Sequence, residues 1–452
     1  MQIRTQIAVL ALTLVTAAGA QGQSGSQLTL PQAVEIALEK NPARKMAAAE
    51  SQAAQARVAL ARSGFLPRVS FSETATVGND PVYAFGTRLR QARFTQDDFA
   101  LSRLNYPDPI SNFSSKLGGQ WNLFDSFAKT FQLRGAKQME LASEKQLSRA
   151  DQETVFRVVD AYYGVGLARK QVELAQQTLK TAQAMLDSST ARVEAGTTVE
   201  SDALSARVNL ATRKQELIQA QSGLQLALTQ LETALGAPVS ADQQPDATLK
   251  EQVFHAPLIN ESESAALRQR PDLQAMSSQV EAQQNGVKAA KAAYGPQLNV
   301  FGSWQADNPS FAANGSSNWI AGAELRVDLF ARDRESRLAI EKANLSRVEA
   351  ATKMTQDNVR LDVRRAWLEH DAARQMLDVS RVSVRQAGES LRIMRDRYET
   401  GLVTITELLR AEDADRASRT NYWQSVYRYT VSFAALQLAS GELTAQNPVV
   451  TQ

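Results

Sequence analysis

Asp202 and Glu407 are where a search for chemistry in this sequence begins. Each stands six positions after a glycine, Gly196 or Gly401, in two stretches that share one pattern. Arg192-Val193-Glu194-Ala195-Gly196 recurs as Arg397-Tyr398-Glu399-Thr400-Gly401. Acids in the first turn of a helix stabilise it by about 0.3–1 kcal/mol through the helix dipole, and that reading requires no further function. Partners for catalysis are missing. The chain has no Cys and two His, His255 in a Pro-flanked linker and His370 inside a helical stretch. It therefore offers no His/Cys metal cluster, no Ser-His-Asp constellation at a suggestive spacing and no phosphate-cradling glycine loop. The other carboxylates fall at helix-surface spacing. Neither an enzyme nor a cofactor or metal is expected, so energy for any work must come from partners.

The elements that carry the two acids are legible from their punctuation. Each glycine follows a helical run, as a left-handed C-terminal cap would, and a capping-box pattern opens the next helix: Thr197 with Glu200, and Thr404 with Glu407. Upstream, Asp125 to about Glu194 and Ala331 to about Glu399 run without proline. A helix of that length is on the order of 100 Å long. Apolar residues recur in them at three- and four-residue steps, as in Val155, Val158, Val159, Tyr162, Tyr163, Val165 and Val359, Val363, Ala366, Trp367, which implies narrow seams between helices. Downstream, the return helices, 201–235 and 405–439, are half as long and end at Gly236 and Gly441. The segments 32–63 and 261–293 have the length to stack end to end on the return helices. Pro238 to Pro257 and the tail from Glu442 are left for a belt near mid-length.

The two halves match. Gly196 and Gly401 lie 205 positions apart, as do Gly236 and Gly441, while Pro42 and Pro271, like Pro67 and Pro296, lie 229 apart. This is the signature of an internal duplication with pseudo-twofold symmetry. The organisation read from it is a leader 1–20, a first repeat 21–236 with helices 125–194 and 201–235, a linker 237–260, a second repeat 261–441 with helices 331–399 and 405–439, and a tail 442–452.

Each half also carries a pair of strands. Trp319, Ala321, Ala323, Leu325, Val327 and Leu329 alternate with Asn318, Gly322, Glu324, Arg326 and Asp328, giving a strand over 318–329 with one apolar and one polar face. Residues 297–305 alternate likewise, although Phe301 breaks the polar face, and the Asp307-Asn308-Pro309 to Ser316-Ser317 stretch makes the two a hairpin. The first half offers 67–77 and 114–124. Alternation alone fits a lipid-facing barrel wall and a small soluble sheet with one buried face equally well. Four strands are too few to close a barrel, so a barrel would need strands from several protomers.

Composition narrows the class. Of 452 residues, 43% are hydrophobic but only 6% aromatic, the balance of long Ala/Leu/Gln/Glu/Arg helices. Fifty basic against 48 acidic residues leave no net field to attract nucleic acid. Arg4, the apolar stretch Ile7 to Val15 and Ala18-Gly19-Ala20 read as a signal peptide. No later stretch approaches roughly eighteen uninterrupted apolar residues, the length of a membrane-crossing helix.

The order of signal peptide, short helix, β-hairpin, very long helix, glycine turn and half-length helix, repeated twice, resembles the TolC-like outer membrane efflux proteins over essentially the whole mature chain. Local matches include Leu28-Thr29-Leu30 with Ala33 and Ala37-Leu38, Asn41-Pro42, Arg270-Pro271-Asp272, Gly64-Phe65-Leu66-Pro67, Tyr294-Gly295-Pro296 and the two glycine turns. The resemblance implies a mainly α fold with a small β part. It implies a homotrimer whose twelve strands form one barrel in the outer membrane of a Gram-negative bacterium, above an α-helical tunnel through the periplasm. It implies a passive exit duct working with a periplasmic adaptor and an inner-membrane pump, as in tripartite efflux or type I secretion. Asp202 after Ser201 and Glu407 after Thr406 match the constriction acids of the closed periplasmic tip, and Tyr398 matches a tyrosine that helps hold the tip shut. Ala195-Gly196-Thr197 and Thr400-Gly401-Leu402 fall where the family docks its adaptor. Two departures stand out: Arg410 replaces an acid three residues after Glu407, and Val403 an expected Arg, which makes the ring less cation-seeking.

About twenty-three extra residues separate the first two strands, within Gly78 to Phe113, rich in aromatic and basic residues. Strand polarity in the family places this segment outside the cell, as a plain ordered surface loop or as a narrowing of the barrel mouth. The rival to the duct is a periplasmic structural or lipid-binding bundle of long amphipathic helices.

Overall fold

The structure, a computed structural model, describes residues 27–239, 244–311 and 313–451; the leader read at 1–20 lies outside them. From the N-terminus come α1 (Leu30–Lys40), α2 (Pro42–Ser63), β1 (Arg68–Gly78), α3 (Pro81–Arg90), a 3-10 turn (Gln96–Phe99), α4 (Leu101–Asn105), β2 (Ile110–Phe124), α5 (Ala128–Glu194) and α6 (Glu200–Leu235). The second half supplies α7 (Ile259–Gln269), α8 (Pro271–Ala292), β3 (Gln297–Asn308), β4 (Ser316–Arg326), α9 (Arg332–Glu399), α10 (Ile405–Ser440) and α11 (Pro448–Thr451).

The segments expected as single helices over 32–63 and 261–293 are each two helices. Pro42 and Pro271 lack an amide hydrogen and push the preceding residue out of the helical region, so Asn41 (φ −60°, ψ 127°) and Arg270 (φ −59°, ψ 123°) break the run. Each break meets the end of a return helix. A Cβ on Gly236 would lie 2.8 Å from the Asn41 Cα, and one on Gly441 3.1 Å from the Arg270 Cα. Asn41 splices the helices it touches: its Oδ1 accepts from Ala43 N and Arg44 N to cap α2, and its Nδ2 donates to Ala234 O at the end of α6 at 2.8 Å. Arg270 does the same work with charge, donating to both carboxylate oxygens of Asp272, to Asp362 Oδ2 at 3.1 Å and to Ala439 O.

α5 runs past both splices. Arg44 pairs with Asp151 at 2.9 Å, Arg149 Nη1 donates to Leu438 O, and Gln152 Nε2 donates to Gly441 O. The main core lies here, at mid-length, where Val155, Val158, Val159, Tyr162 and Val165 of α5 meet Val34 and Ala37 of α1, Leu231 and Leu235 of α6, and Tyr429, Phe433 and Ala434 of α10. Leu249, Phe254, Leu443 and Val449, from the linker and the tail, complete it. Phe254 stacks on Phe433, and buried His370 stacks on Tyr429 with Nδ1 3.1 Å from Ser432 Oγ.

The sheet stands at the far end of the long helices. Its order is β1-β2-β3-β4, antiparallel throughout, and it has two free edges, β1 and β4. β2 and β3 extend beyond the expected bounds, whereas β4 stops at Arg326, short of Val327 and Leu329, because its partner strand begins at Gln297, directly after Pro296. The register fixes two faces. One presents Val69, Phe71, Val77, Leu117, Trp121, Val300, Trp304, Trp319 and Leu325, all but Val300 exposed in the protomer; the other presents Ser72, Thr74, Ser114, Lys116, Gln120, Gln305, Asn318 and Glu324. Phe301, the apparent break in the polar face, pairs with Gly322 and lays its ring over it.

Candidate functional site

The site that the two glycine motifs point to is the end of the molecule opposite the sheet. Both turns have the same backbone. Gly196 (φ +69°) and Gly401 (φ +76°) sit in the left-handed region. Thr197 N donates to Arg192 O and Leu402 N to Arg397 O, each at 2.9 Å, while Gly196 N donates to Val193 O and Gly401 N to Tyr398 O. This six-to-one and five-to-two pair of bonds satisfies two of the carbonyls that a helix end leaves open and turns the chain back on itself.

The next helices begin differently. The capping box expected from Thr404 and Glu407 forms: Thr404 N and Oγ1 donate to Glu407 Oε2 at 2.9 and 3.2 Å, and Glu407 N donates to Thr404 Oγ1. The one expected from Thr197 and Glu200 does not. Val199 occupies the cap position three residues past the glycine, Thr197 Oγ1 turns back to Arg192 O, and Thr198 Oγ1 donates to Asp202 Oδ2 instead. Each acid is thus engaged within its own turn. Thr404, first through its backbone N–H and then through its hydroxyl, holds the exposed Glu407 carboxyl below the usual range, and Arg410 adds to this.

Ser201, Thr406, Glu407 and Arg410 are exposed, as are Ala195, Gly196, Thr197, Thr400, Gly401 and Leu402, while Asp202 and Tyr398 are half-buried. Among the described residues no ion pair within 4.0 Å joins Glu407 to Arg410. The two turns lie side by side. The Arg192 guanidinium stands 5.2 Å from the centre of the Tyr398 ring, and its Nη2 reaches Glu399 O at 3.4 Å. Tyr398 is therefore a contact between the turns, through a cation over its ring.

Above the turns a charge network, which sequence reasoning missed, ties the two hairpins together. Buried Arg213 on α6 donates to Glu216 at 2.9 Å and to Asp413 on α10, and Arg416 reaches Glu216 at 3.5 Å. Burial pushes the Glu412 carboxyl up, against Arg395 at 3.8 Å and Arg213. The links between the hairpins, Arg213 to Asp413 and Arg416 to Glu216, join residues 200 positions apart in the chain, which no sequence signal identifies. No group of three or more His, Cys, Asp or Glu able to hold a metal occurs among the described residues.

The chain is thus a mainly helical protein in which two long helical hairpins run from a four-stranded sheet, two-faced and open at both edges, to paired turns at the other end. The chain belongs to the outer membrane efflux protein family, which it matches over residues 33–237 and 263–442. It is a TolC-like outer membrane protein. The alkaline protease secretion protein AprF of Pseudomonas aeruginosa is 27% identical over 426 residues, spanning 90% of this chain and 83% of that protein. Protein CyaE of Bordetella pertussis is 26% identical over 421 residues, 92% of this chain and 84% of that one. Among solved structures, the outer-membrane channel CmeC of Campylobacter jejuni shares the fold with a TM-score of 0.77 at 17% identity, covering 98% of this chain and 96% of that one.

Proposed function

We propose that the protein is a passive exit duct of the outer membrane. Three copies would close one twelve-stranded barrel over an α-helical tunnel, served by a periplasmic adaptor and an inner-membrane pump. The observation that carries this reading is the open sheet. β1 and β4 are unpaired edges of a four-stranded antiparallel array, and β1 of a second copy laid beside β4 continues the alternation of strand direction without a break. Three such arrays reach a strand number whose interior leaves a water-filled passage, with the polar face inward and the tryptophans toward lipid. The recurrence of element lengths, 67 and 68 residues for α5 and α9 and 36 each for α6 and α10, supports an internal duplication that gives the tunnel near-sixfold walls.

At the turns, Asp202 and Glu407 with Arg410 would ring the narrowest point, and 195–197 with 400–402 would meet the adaptor. The relatives named above include a protease secretion protein, and this chain's cargo would be chosen by its pump, because a lumen selects weakly. The test is single-channel conductance of the purified protein in a planar bilayer, with its oligomeric state measured in the same detergent. Discrete openings from a heat-modifiable trimer are expected, and Asp202→Ala with Glu407→Ala is expected to raise their conductance. A salt-soluble, electrically silent monomer would instead favour a periplasmic helical bundle, and openings unchanged by the double substitution would remove the two acids from the constriction.

A further inference from the structure

The extra residues between β1 and β2 fold into a small unit of their own. Asp80 caps α3 through Tyr83 N, the chain reverses at Ala92 (φ +55°), and Asp98 accepts from Thr95 N and Thr95 Oγ1 while pairing with Arg88 at 2.6 Å and Arg103 at 3.6 Å. Phe85, Phe94 and Phe99 stack edge to face in series, with Phe99 at the exposed end. A segment held by a buried carboxylate and an aromatic cluster is a rigid body rather than a loose loop.

Its position on the sheet is specific. α3 touches β2 and β4, which are not neighbours, so it lies across β3 on one face. The face is the polar one. Gln91, 2% exposed, donates to Ser111 O and Asn112 Oδ1; Asn112 Nδ2 donates to Asp307 Oδ1 at 2.7 Å; Gln305 Nε2 donates to the same fully buried carboxylate. Asn112, Asp307 and Gln305 share the register of Lys116 and Asn318, and Asn318 Nδ2 reaches Arg90 O. The β3–β4 connection goes the other way, its Phe311 ring against Phe113 on the apolar face. The whole unit is thus latched by amides over the side that faces the lumen if the sheet is a barrel wall. Burying Gln91, Asn112 and Asp307 together is costly unless they pair, and their pairing, which leaves only the Gln91 Oε1 among them without a partner, fixes the unit in place.

We infer that residues 79–109 form a lid over the external mouth of the duct, three copies of which exclude bulky solutes arriving from outside. The inference rests on the duct reading above and adds a size-selective element at the end away from the helical turns.

The chain has no cysteine, so a single introduced thiol reports access cleanly. Gln120→Cys places one on the polar face, eight residues deeper along β2 than Asn112, and Leu117→Cys places one on the apolar face. Whole cells are exposed to a small charged thiol reagent and to a maleimide carrying a long polyethylene glycol. Each thiol is tested with the lid intact, with residues 81–106 replaced by a short Gly-Ser linker, and with the latch removed by Gln91→Ala and Asn112→Ala. The expected result is labelling of Gln120→Cys by the small reagent in all three and by the bulky one only when the lid is deleted or unlatched, with trimers retained. Bulky labelling that is equal with and without the lid, or absent in both, overturns the lid. Small-reagent labelling of Leu117→Cys as fast as Gln120→Cys overturns the barrel, and the lid with it; a shielded Leu117→Cys separates the two failures.

Discussion

The Asn41 amide closes two helix ends at once, and nothing else at that junction can replace both of its bonds. Asn41→Ala removes the cap of α2 and leaves Ala234 O unpaired, for an expected loss of about 1–2 kcal/mol in thermal unfolding of the detergent-solubilised protein. Asn41→Asp keeps the capping oxygen but loses the donor, so it should fall between parent and Ala. His370 makes a second prediction at this scale. Burial against Tyr429 and Phe433 pushes its imidazole below the usual range, against the pull of nearby Asp371 and of a Tyr429 backbone bond, with Arg374 adding to the depression. A depressed group contributes its stability above the unfolded value, about 6.5, and loses it as pH falls through the folded value. Melting temperature should therefore decline on acidification below about pH 6.5, and His370→Gln should flatten that limb. Neither role shows in the sequence: Asn41 reads there as half of an Asn-Pro motif, and His370 as one polar position in a long helix.

At the scale of elements, the turns and long helices were legible because glycine and proline write their constraints locally. Gly401 ends α9 with a left-handed residue and open space around its missing Cβ, so Gly401→Ala meets only backbone strain of about 1–2 kcal/mol. Amide exchange of residues 396–402 should quicken accordingly. Gly223→Ala, at an exposed mid-helix position in α6 with equal room, should instead stabilise by about 0.5–1 kcal/mol, which separates strain from loss of flexibility. What the pattern concealed was the division of labour at each Pro. The helical period continues through Pro42 and Pro271, and the docking of Gly236 against Asn41 and of Gly441 against Arg270 shows what use the fold makes of each proline break. The start of α6 was misread for a related reason: two threonines follow Gly196, but the cap position is the third residue, which is Thr404 in the second turn and Val199 in the first.

At the scale of the whole molecule, the alternation of residues gave the two faces of the sheet, and spacing gave the repeated order of parts. Contacts between distant segments were out of reach. The Arg192–Tyr398 contact, the Arg213 network and the Gln91–Asn112–Asp307 latch each join residues whose meeting depends on the fold already being complete. The two bare edges of the sheet also bear on how the protein is made. A lone protomer carries a row of unsatisfied amides and carbonyls along both β1 and β4, which lipid cannot solvate, so it has no stable stage as an inserted monomer. On the proposed trimeric reading, closure of the ring and entry into the bilayer are one event. In the trimeric duct proposed above, a chain waiting for its two partners is a sticky strand end, and its survival depends on how soon it meets them.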